Sequence, residues 1–238
     1  MPPMASNKTQ ESQRLLHSVK DKYNGPEELD IRKDELKNGI REAEQAFAGK
    51  YPVNSRLLDI GCATGRLCFA LARQGYDVTG IDVAEKQIEQ ARRTTKAERV
   101  DVTFLQYEMP LLPFPDASFA AAFMGNVYCY VPHRASRIAF LEEIARVLNP
   151  HGEVFLSQTV LDSVLEGYED ICDDNHRRYA PEYETLEEGD GFVLGAPHYL
   201  HFFFAEDLMA ELEASPFQVV SSDLKKSDFK CVLRKRNT

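Results

Sequence analysis

The sequence has no long apolar run and no closely paired cysteines. Its longest uncharged stretch, residues 119–131, is too short to span a bilayer. The five cysteines are scattered and form no C-x-x-C pair, so they predict neither a disulfide framework nor a zinc site. The acids and histidines also lack the spacing of metal ligands. We therefore expect a reduced, cytoplasmic protein with no membrane span and no bound metal.

Basic residues are outnumbered by acids, and the chain carries a formal net charge of -10. Proteins that bind nucleic acids usually have a basic surface, so this charge argues against a nucleic-acid partner. The first ten residues, MPPMASNKTQ, contain no apolar core and no arginine-rich helix, and we expect no targeting peptide there. A length of 238 residues with 43% hydrophobic residues suits one globular domain.

The most informative stretch of the chain runs from Arg56 to Asp82. An apolar run predicts a strand that ends at Ile60, and a glycine-containing turn follows over residues 61–65. Apolar residues spaced three and four apart then predict a helix closed by Gly75, and alternation predicts a second strand that ends at Asp82. A strand, turn, helix and strand in this order imply that neighbouring strands are parallel.

Three features of this stretch narrow the ligand that it would bind. An acid at the end of the second strand, as at Asp82, suits ribose hydroxyls, and a nicotinamide dinucleotide site shares this feature. Glycine lets the backbone approach a ligand, and the helix after Gly65 would offer unpaired amide donors. Asp59, just before the turn, would repel a pyrophosphate but suits an ammonium or sulfonium group. The turn does not spell G-x-G-x-x-G, so a dehydrogenase is the poorer interpretation.

The segment Asp59-Ile60-Gly61-Cys62-Ala63-Thr64-Gly65, followed by Asp82, resembles the cofactor site of class I (Rossmann-like) methyltransferases. The resemblance covers residues 55–160 and, more loosely, 200–235. It implies S-adenosylmethionine as cofactor, S-adenosylhomocysteine as product, and adenine contacts near Leu-Pro-Phe at 112–114. The implied cofactor-binding residues are Asp59, Gly61, Cys62, Ala63, Gly65, Asp82, Val83, Glu108, Met109, Asn126 and Val127, with Tyr23 closing over the cofactor.

Periodicity and the resemblance together predict the rest of the fold. Helices are expected over residues 11–22, 29–47, 86–96, 134–148 and 204–214. Further strands are expected at 100–107, 119–124, about 154–156, 217–222 and 229–233. The predicted class is α/β, with a Rossmann-like, doubly wound, seven-stranded and mostly parallel sheet whose last strand is antiparallel. N-terminal helices and a cap-like insertion complete it.

The chain is predicted to form one domain with four parts. Residues 1–10 are expected to be a disordered tail, and residues 11–160 hold the N-terminal helices and the cofactor-binding core. Residues 161–200 are rich in acids and tyrosines and lack clear periodicity, so we expect a substrate cap, with disorder as the alternative. Residues 201–238 supply the final helix and closing strands. A turn at 149–152 is expected to end the helix before it.

Methyl transfer from a sulfonium needs mainly alignment of acceptor, carbon and sulfur. A base is required only if the acceptor must lose a proton. The sequence offers His201, His198, His133 and Tyr128 as candidates, with Tyr130 on the same segment as the last. Each of these side chains is also compatible with a purely structural role.

Three functions fit the sequence. The favoured one is methyl transfer by in-line displacement to a small-molecule acceptor, at an O, N, C or S nucleophile. Methylation of a macromolecule such as tRNA or protein is an alternative, and a non-catalytic S-adenosylmethionine-binding subunit is another. The acceptor does not follow from the fold. A monomer or a homodimer is expected.

Overall fold

The computed structural model describes residues 7–161, 185–192 and 198–236. Within them the strands are β1 (Arg56–Ile60), β2 (Asp77–Asp82), β3 (Thr103–Gln106), β4 (Phe119–Gly125), β5 (Leu148–Thr159), β6 (Asp190–Phe192), β7 (Tyr199–His201), β8 (Phe217–Lys225) and β9 (Asp228–Lys235). Seven of these strands form one sheet in the order β3-β2-β1-β4-β5-β9-β8, and β6 pairs with β7 in a separate hairpin.

Strands β1 to β5 run parallel to one another, whereas β9, the other neighbour of β5, is antiparallel to it. β8 pairs antiparallel with β9 and forms the edge. The first strand, β1, lies between β2 and β4, so the direction of winding reverses there. In open α/β sheets, ligands bind at the carboxyl ends of the strands beside such a reversal. The predicted Rossmann-like class, with its antiparallel last strand, is confirmed.

Helices cover both faces of this sheet. They are α1 (Asn7–Tyr23), α2 (Pro26–Glu35), α3 (Glu42–Ala48), α4 (Arg66–Ala72), α5 (Glu85–Glu98), α6 (Arg134–Val147) and α7 (Ala205–Glu213), with short 3-10 turns at Leu36–Asn38 and Tyr128–Tyr130. The helices predicted from periodicity are therefore present, with ends that differ by a few residues. The region predicted over 29–47 is divided into α2, a 3-10 turn and α3.

Alternation along the strands sends successive side chains to opposite faces, and each face has its own core. Leu58 and Ile60 of β1 join a cluster with residues of α6 and α7. Leu57, the residue before Leu58, joins the second cluster, which contains residues of α3, α4 and α5. Strand β4 is buried almost throughout, as its uncharged sequence predicts for a strand covered on both faces.

The N-terminal helix begins earlier than predicted. Residues 7–10 belong to α1, so the expected disordered tail is wrong for them, and residues 1–6 lie outside the described part of the chain. The helix is stabilised by contacts that sequence periodicity does not encode. Glu11 is buried and accepts a hydrogen bond from the Thr185 amide at 3.0 Å. Leu15 and Val19 pack against Phe192 and Tyr199 of the β6–β7 hairpin.

The junction between α6 and β5 also differs from the prediction. Leu148 already pairs with Phe119 of β4, so β5 begins directly after α6. The register then shifts, and Glu153 faces Ala121, while His151 between them adopts a φ of +63°. The predicted turn at 149–152 is therefore an irregular start of β5. Backbone pairing of Leu148 with β4, rather than the Asn-Pro signal, determines where the strand begins.

The predicted cap over residues 161–200 is described only in part. Residues 162–184 and 193–197 lie outside the described part of the chain. The described portion contains the β6–β7 hairpin, which lies against α1. The amide of Tyr199 donates to Ser18 Oγ on α1 at 3.1 Å. The hairpin and α1 therefore lie together beside the carboxyl ends of the central strands.

Candidate functional site

A cavity of about 450 Å³ lies at the carboxyl ends of the central strands. Its wall is formed by the turn after β1, the ends of β2, β4 and β5, helix α1, and strand β7 with the residues that follow it. The cofactor-binding residues predicted from the sequence that line it are Asp59, Gly61, Cys62, Ala63, Asp82, Val83, Met109, Asn126, Val127 and Tyr23. The topology thus gathers most of the predicted set around one space of a size typical of ligand pockets.

Two predicted residues lie elsewhere in the structure. Glu108 lines a neighbouring cavity of about 390 Å³, and its carboxylate accepts a hydrogen bond from Lys20 Nζ of α1 at 2.9 Å. Gly65 adopts a φ of +94°, and a side chain there would lie 2.6 Å from the ring of Phe104. Gly65 is thus required for a turn packed against β3, and its role as a cofactor contact stays a prediction.

Asp82 is held rigidly at the end of β2. Its Oδ2 accepts a hydrogen bond from the Ala63 amide at 2.9 Å, and its Oδ1 accepts one from the Ala84 amide at 2.8 Å. Burial raises the pKa of this carboxyl, although both amide bonds act in the opposite direction. Each oxygen keeps further acceptor capacity. The carboxylate is therefore pre-oriented to accept bonds from a pair of hydroxyls.

The glycine turn is built differently from the sequence-based expectation. Gly61 has a φ of +72°, and a Cβ there would lie 2.2 Å from Val127 Cγ2. This glycine is therefore required by packing against the segment after β4. The amides of Gly61 and Cys62 both donate to the carbonyl of Ile81, at 2.8 and 3.0 Å. Because these donors are engaged within the protein, this part of the turn does not form the amide cradle that a pyrophosphate requires.

Asp59 introduces a buried carboxyl beside this turn. Burial raises its pKa to about 7, and the Cys68 thiol donates to its Oδ2 at 3.2 Å. Arg66 also lines the cavity, but its guanidinium forms a bidentate pair with Glu44, at 2.6 and 2.9 Å. A cationic group bound near Asp59 would favour its ionised form. The Asp59 carboxyl thus suits a cationic ligand group better than an anionic one.

The N-terminal helices lie over the turn. The hydroxyl of Tyr23 donates to Tyr130 Oη at 2.7 Å, and burial raises the pKa of Tyr23 to about 12. The backbone carbonyl of Tyr23 accepts a bond from Gln87 Nε2 at 2.8 Å. On α2, the carbonyl of Arg32 accepts a bond from Thr64 Oγ1 at 2.7 Å. These contacts place Tyr23 and Arg32 at the cavity wall. The sequence did not indicate Arg32, and the closing of Tyr23 over a cofactor stays a prediction.

Three of the four catalytic candidates, His133, Tyr128 and His198, lie outside the cavity wall as the structure describes it. His133 precedes α6 and is fully buried, with its Nδ1 3.7 Å from Glu187 Oε1. Tyr128 is also fully buried, and its ring stacks on Phe203 with centroids 5.6 Å apart. Tyr130, two residues further on, does line the cavity. The structure therefore supports a packing role for His133 and Tyr128.

The remaining histidines differ from each other. His198 is not among the described lining residues, and its Nε2 lies 3.1 Å from Lys22 Nζ. His201 lines the cavity, and its Nδ1 lies 2.8 Å from Oδ1 of Asp190. Asp190 was not singled out from the sequence. The sequence signal that could have indicated it is the alternation of Tyr199 and His201 after a Gly-Asp-Gly turn, a pattern typical of a hairpin.

The described residues lack a metal cluster and a membrane-spanning helix. Over residues 7–161, 185–192 and 198–236, no group of three or more His, Cys, Asp or Glu side chains is arranged to hold a metal ion. Across the same part of the chain, no helix combines the length and the apolar character that crossing a membrane requires.

A family of domains and several individual proteins are similar in sequence to part of this chain. Residues 57–152 match the methyltransferase domain family. The 27-O-demethylrifamycin SV methyltransferase of Amycolatopsis mediterranei (strain S699) is 37% identical over 131 residues, which cover 53% of this chain and 47% of that protein. An O-methyltransferase of Pyrenophora dematioidea is 36% identical over 109 residues, which cover 44% of this chain and 40% of that protein. The chain thus spans less than half the length of these relatives.

The fold has solved counterparts. A SAM-dependent methyltransferase from Methanosarcina mazei superposes with a TM-score of 0.72 and 22% identity, covering 83% of this chain and 98% of that chain. Residues 57–152 thus match a methyltransferase domain, and the chain has the fold of a SAM-dependent methyltransferase. The family resemblance inferred from residues 59–65 and Asp82 is therefore confirmed. Within this methyltransferase domain, the roles of individual residues stay predictions.

Proposed function

We propose that this protein binds S-adenosylmethionine in the central cavity and transfers its methyl group to a small-molecule acceptor. The observation that carries the proposal is the single cavity that runs from the buried carboxyls of Asp59 and Asp82 to strand β7. Cofactor and acceptor would share this space, since in-line transfer requires them to be adjacent. The cytoplasmic location, and the choice between monomer and homodimer, stay predictions from the sequence.

The residues at the turn fit S-adenosylmethionine. Asp82 would accept bonds from the ribose hydroxyls, because both its oxygens are oriented by backbone amides and keep acceptor capacity. Asp59 would favour the cationic part of the cofactor, because a nearby positive charge offsets the cost of ionising a buried carboxyl. Tyr23 and α1 would cover the site and exclude water. When bound, S-adenosylmethionine supplies a methyl group already activated by a sulfonium sulfur.

Calorimetric titration tests the cofactor first. We expect the purified protein to bind S-adenosylmethionine and S-adenosylhomocysteine but not NADH. Asp82→Ala should weaken binding of both sulfur compounds at least tenfold, or about 1.4 kcal/mol. Asp116→Ala is the matched control, because Asp116 is an exposed acid paired with Arg146 outside the cavity wall. Binding of NADH alone, or equal affinities for the two variants, would contradict the site assignment.

Methyl transfer is then tested by a panel of small hydroxyl, amine and thiol acceptors, scored by S-adenosylhomocysteine produced. Turnover of at least one small molecule, lost in Asp82→Ala and kept in Asp116→Ala, is the expected result. Turnover restricted to a tRNA or protein acceptor would favour the alternative that the protein methylates a macromolecule. Tight cofactor binding without turnover of any acceptor would instead favour the non-catalytic subunit.

A further inference from the structure

The β6–β7 hairpin carries a buried polar group that faces the cavity. Antiparallel pairing places Asp190 directly opposite His201, so backbone register brings the two side chains together. Asp190 Oδ1 lies 2.8 Å from His201 Nδ1 and also accepts a bond from the Tyr199 hydroxyl at 2.7 Å. Its Oδ2 accepts a bond from the Glu187 amide at 2.8 Å. The arrangement is therefore fixed from several directions.

The carboxyl of Asp190 is fully buried but remains in its ionised form at neutral pH. Burial by itself would raise the pKa, but hydrogen bonds from His201, the Glu187 amide and Tyr199 outweigh it and leave the pKa below its ordinary value. An ionised carboxylate can only accept hydrogen bonds. The proton shared between the two side chains must therefore lie on Nδ1 of His201. The neutral ring consequently has an unprotonated Nε2.

The imidazole ring is held by its neighbours as well as by the carboxylate. It packs edge-to-face on Phe203, with centroids 4.4 Å apart. Gly189 adopts a φ of +87°, and a Cβ there would lie 2.9 Å from His201 Cε1, so only glycine leaves room for the ring. His201 lines the same cavity as Asp59 and Asp82. A buried carboxylate, a rigid ring and an open cavity are the arrangement that a positioned base requires.

We propose that His201 is the general base for a hydroxyl acceptor and that Asp190 is its positioning residue. This inference rests on the proposed function. In the step, an acceptor oxygen forms a bond to the methyl carbon as the carbon–sulfur bond breaks, and that electron pair stays on sulfur. The acceptor O–H proton passes to Nε2 of His201 and is later released to water. The acceptor is thus a hydroxyl compound, such as a phenol, which must lose its O–H proton, rather than a neutral tertiary amine.

The tautomer of His201 tests this arrangement without an acceptor. In protein labelled with 15N at histidine, the His201 resonance is assigned by its loss in His201→Gln. We expect its Nδ1 to be protonated and its Nε2 unprotonated in the neutral ring. Asp190→Asn should reverse or mix this tautomer, because an amide can donate to Nδ1. A protonated Nε2 in the unaltered protein would overturn the proposal.

Turnover tests the role of the base. With phenol and 4-nitrophenol as probes, His201→Gln and Asp190→Asn should each lower kcat for phenol at least 100-fold. The loss should be far smaller for 4-nitrophenol, which ionises without help. His151→Asn is the control, because His151 is an exposed histidine outside the cavity wall with a positive φ that asparagine tolerates. It should retain kcat within twofold.

Calorimetry with S-adenosylmethionine separates this inference from the proposed function. Both hairpin variants should bind the cofactor within threefold of the unaltered protein, which also demonstrates that they are folded. If the unaltered protein does not bind the cofactor, the proposed function fails. If it binds but the two phenols lose activity equally in His201→Gln, or only amines and thiols are methylated, the base assignment is wrong. If neither phenol reacts, the 15N measurement of the His201 tautomer decides whether the proposed arrangement of Asp190 and His201 is correct.

Discussion

Replacing Asp59 with asparagine should stabilise the protein free of ligand. The Asp59 carboxyl is buried and has a pKa of about 7, against an ordinary value of 3.8, because burial disfavours the charged form. Between these two values the folded state retains a proton that the unfolded state has released. Stability therefore falls as pH rises from about 4 to about 7 and then levels off. Asparagine has a similar shape but no charge to bury, so it avoids this loss.

The magnitude follows from the displaced pKa. A difference of one pKa unit corresponds to about 1.4 kcal/mol. Compared with a carboxyl whose pKa does not change on folding, Asp59 therefore lowers the free energy of unfolding by about 4 kcal/mol at pH 8 and about 1.5 kcal/mol at pH 5. The gain in free energy of unfolding for Asp59→Asn should therefore increase by about 2–3 kcal/mol between pH 5 and pH 8. Comparison with the unaltered protein at each pH cancels the titration of the other groups.

Urea unfolding of both proteins at the two pH values measures this difference. Asp77→Asn is the control, because Asp77 is an exposed acid at the start of β2, paired with Arg56. Its effect should stay within about 0.5 kcal/mol at both pH values. The same Asp59→Asn variant should bind S-adenosylmethionine at least tenfold more weakly, since the charge that destabilises the free protein attracts the cofactor. A pH-independent difference, or a less stable variant at pH 8, would refute the reasoning.

Three further changes test the packing around the site. Gly61→Ala should lower the free energy of unfolding by about 2 kcal/mol or more, because Gly61 has a positive φ and a Cβ there would clash with Val127. Adding Val127→Ala should restore part of that stability. Thermal unfolding of the single and double variants measures both effects. Glu211→Gln should cost about 3 kcal/mol in urea unfolding, because it removes the bidentate carboxylate partner of the buried Arg137 guanidinium and leaves Glu187, at 3.8 Å, as its charged neighbour. Tyr23→Phe should weaken cofactor binding in calorimetry only a few-fold, since the ring remains at the cavity wall and one hydroxyl bond is lost.

The sequence was sufficient for those parts of the molecule that depend on near neighbours. Apolar spacing predicts β1, α4 and β2, and the same alternation places Asp82 at the end of its strand. The buried composition of residues 119–124 predicts β4 between two covered faces. Such patterns are local because a helix or strand face is defined by residues within a few positions. The resemblance added the family and the doubly wound, mostly parallel sheet with its antiparallel last strand.

Tertiary structure decided what depends on distant parts of the chain. Gly61 is required because Val127 packs on it, and Leu15 and Val19 of α1 are buried because they contact the β6–β7 hairpin. The selection of His201 over the other histidines depends on Asp190, which reaches it only through the register of that hairpin. No local period encodes which two strands pair or which side chains then meet. Pairing is set by the packing of the whole fold. The glycine turn could therefore be predicted from the sequence, whereas the contact between Asp190 and His201, on which the proposed base depends, could not.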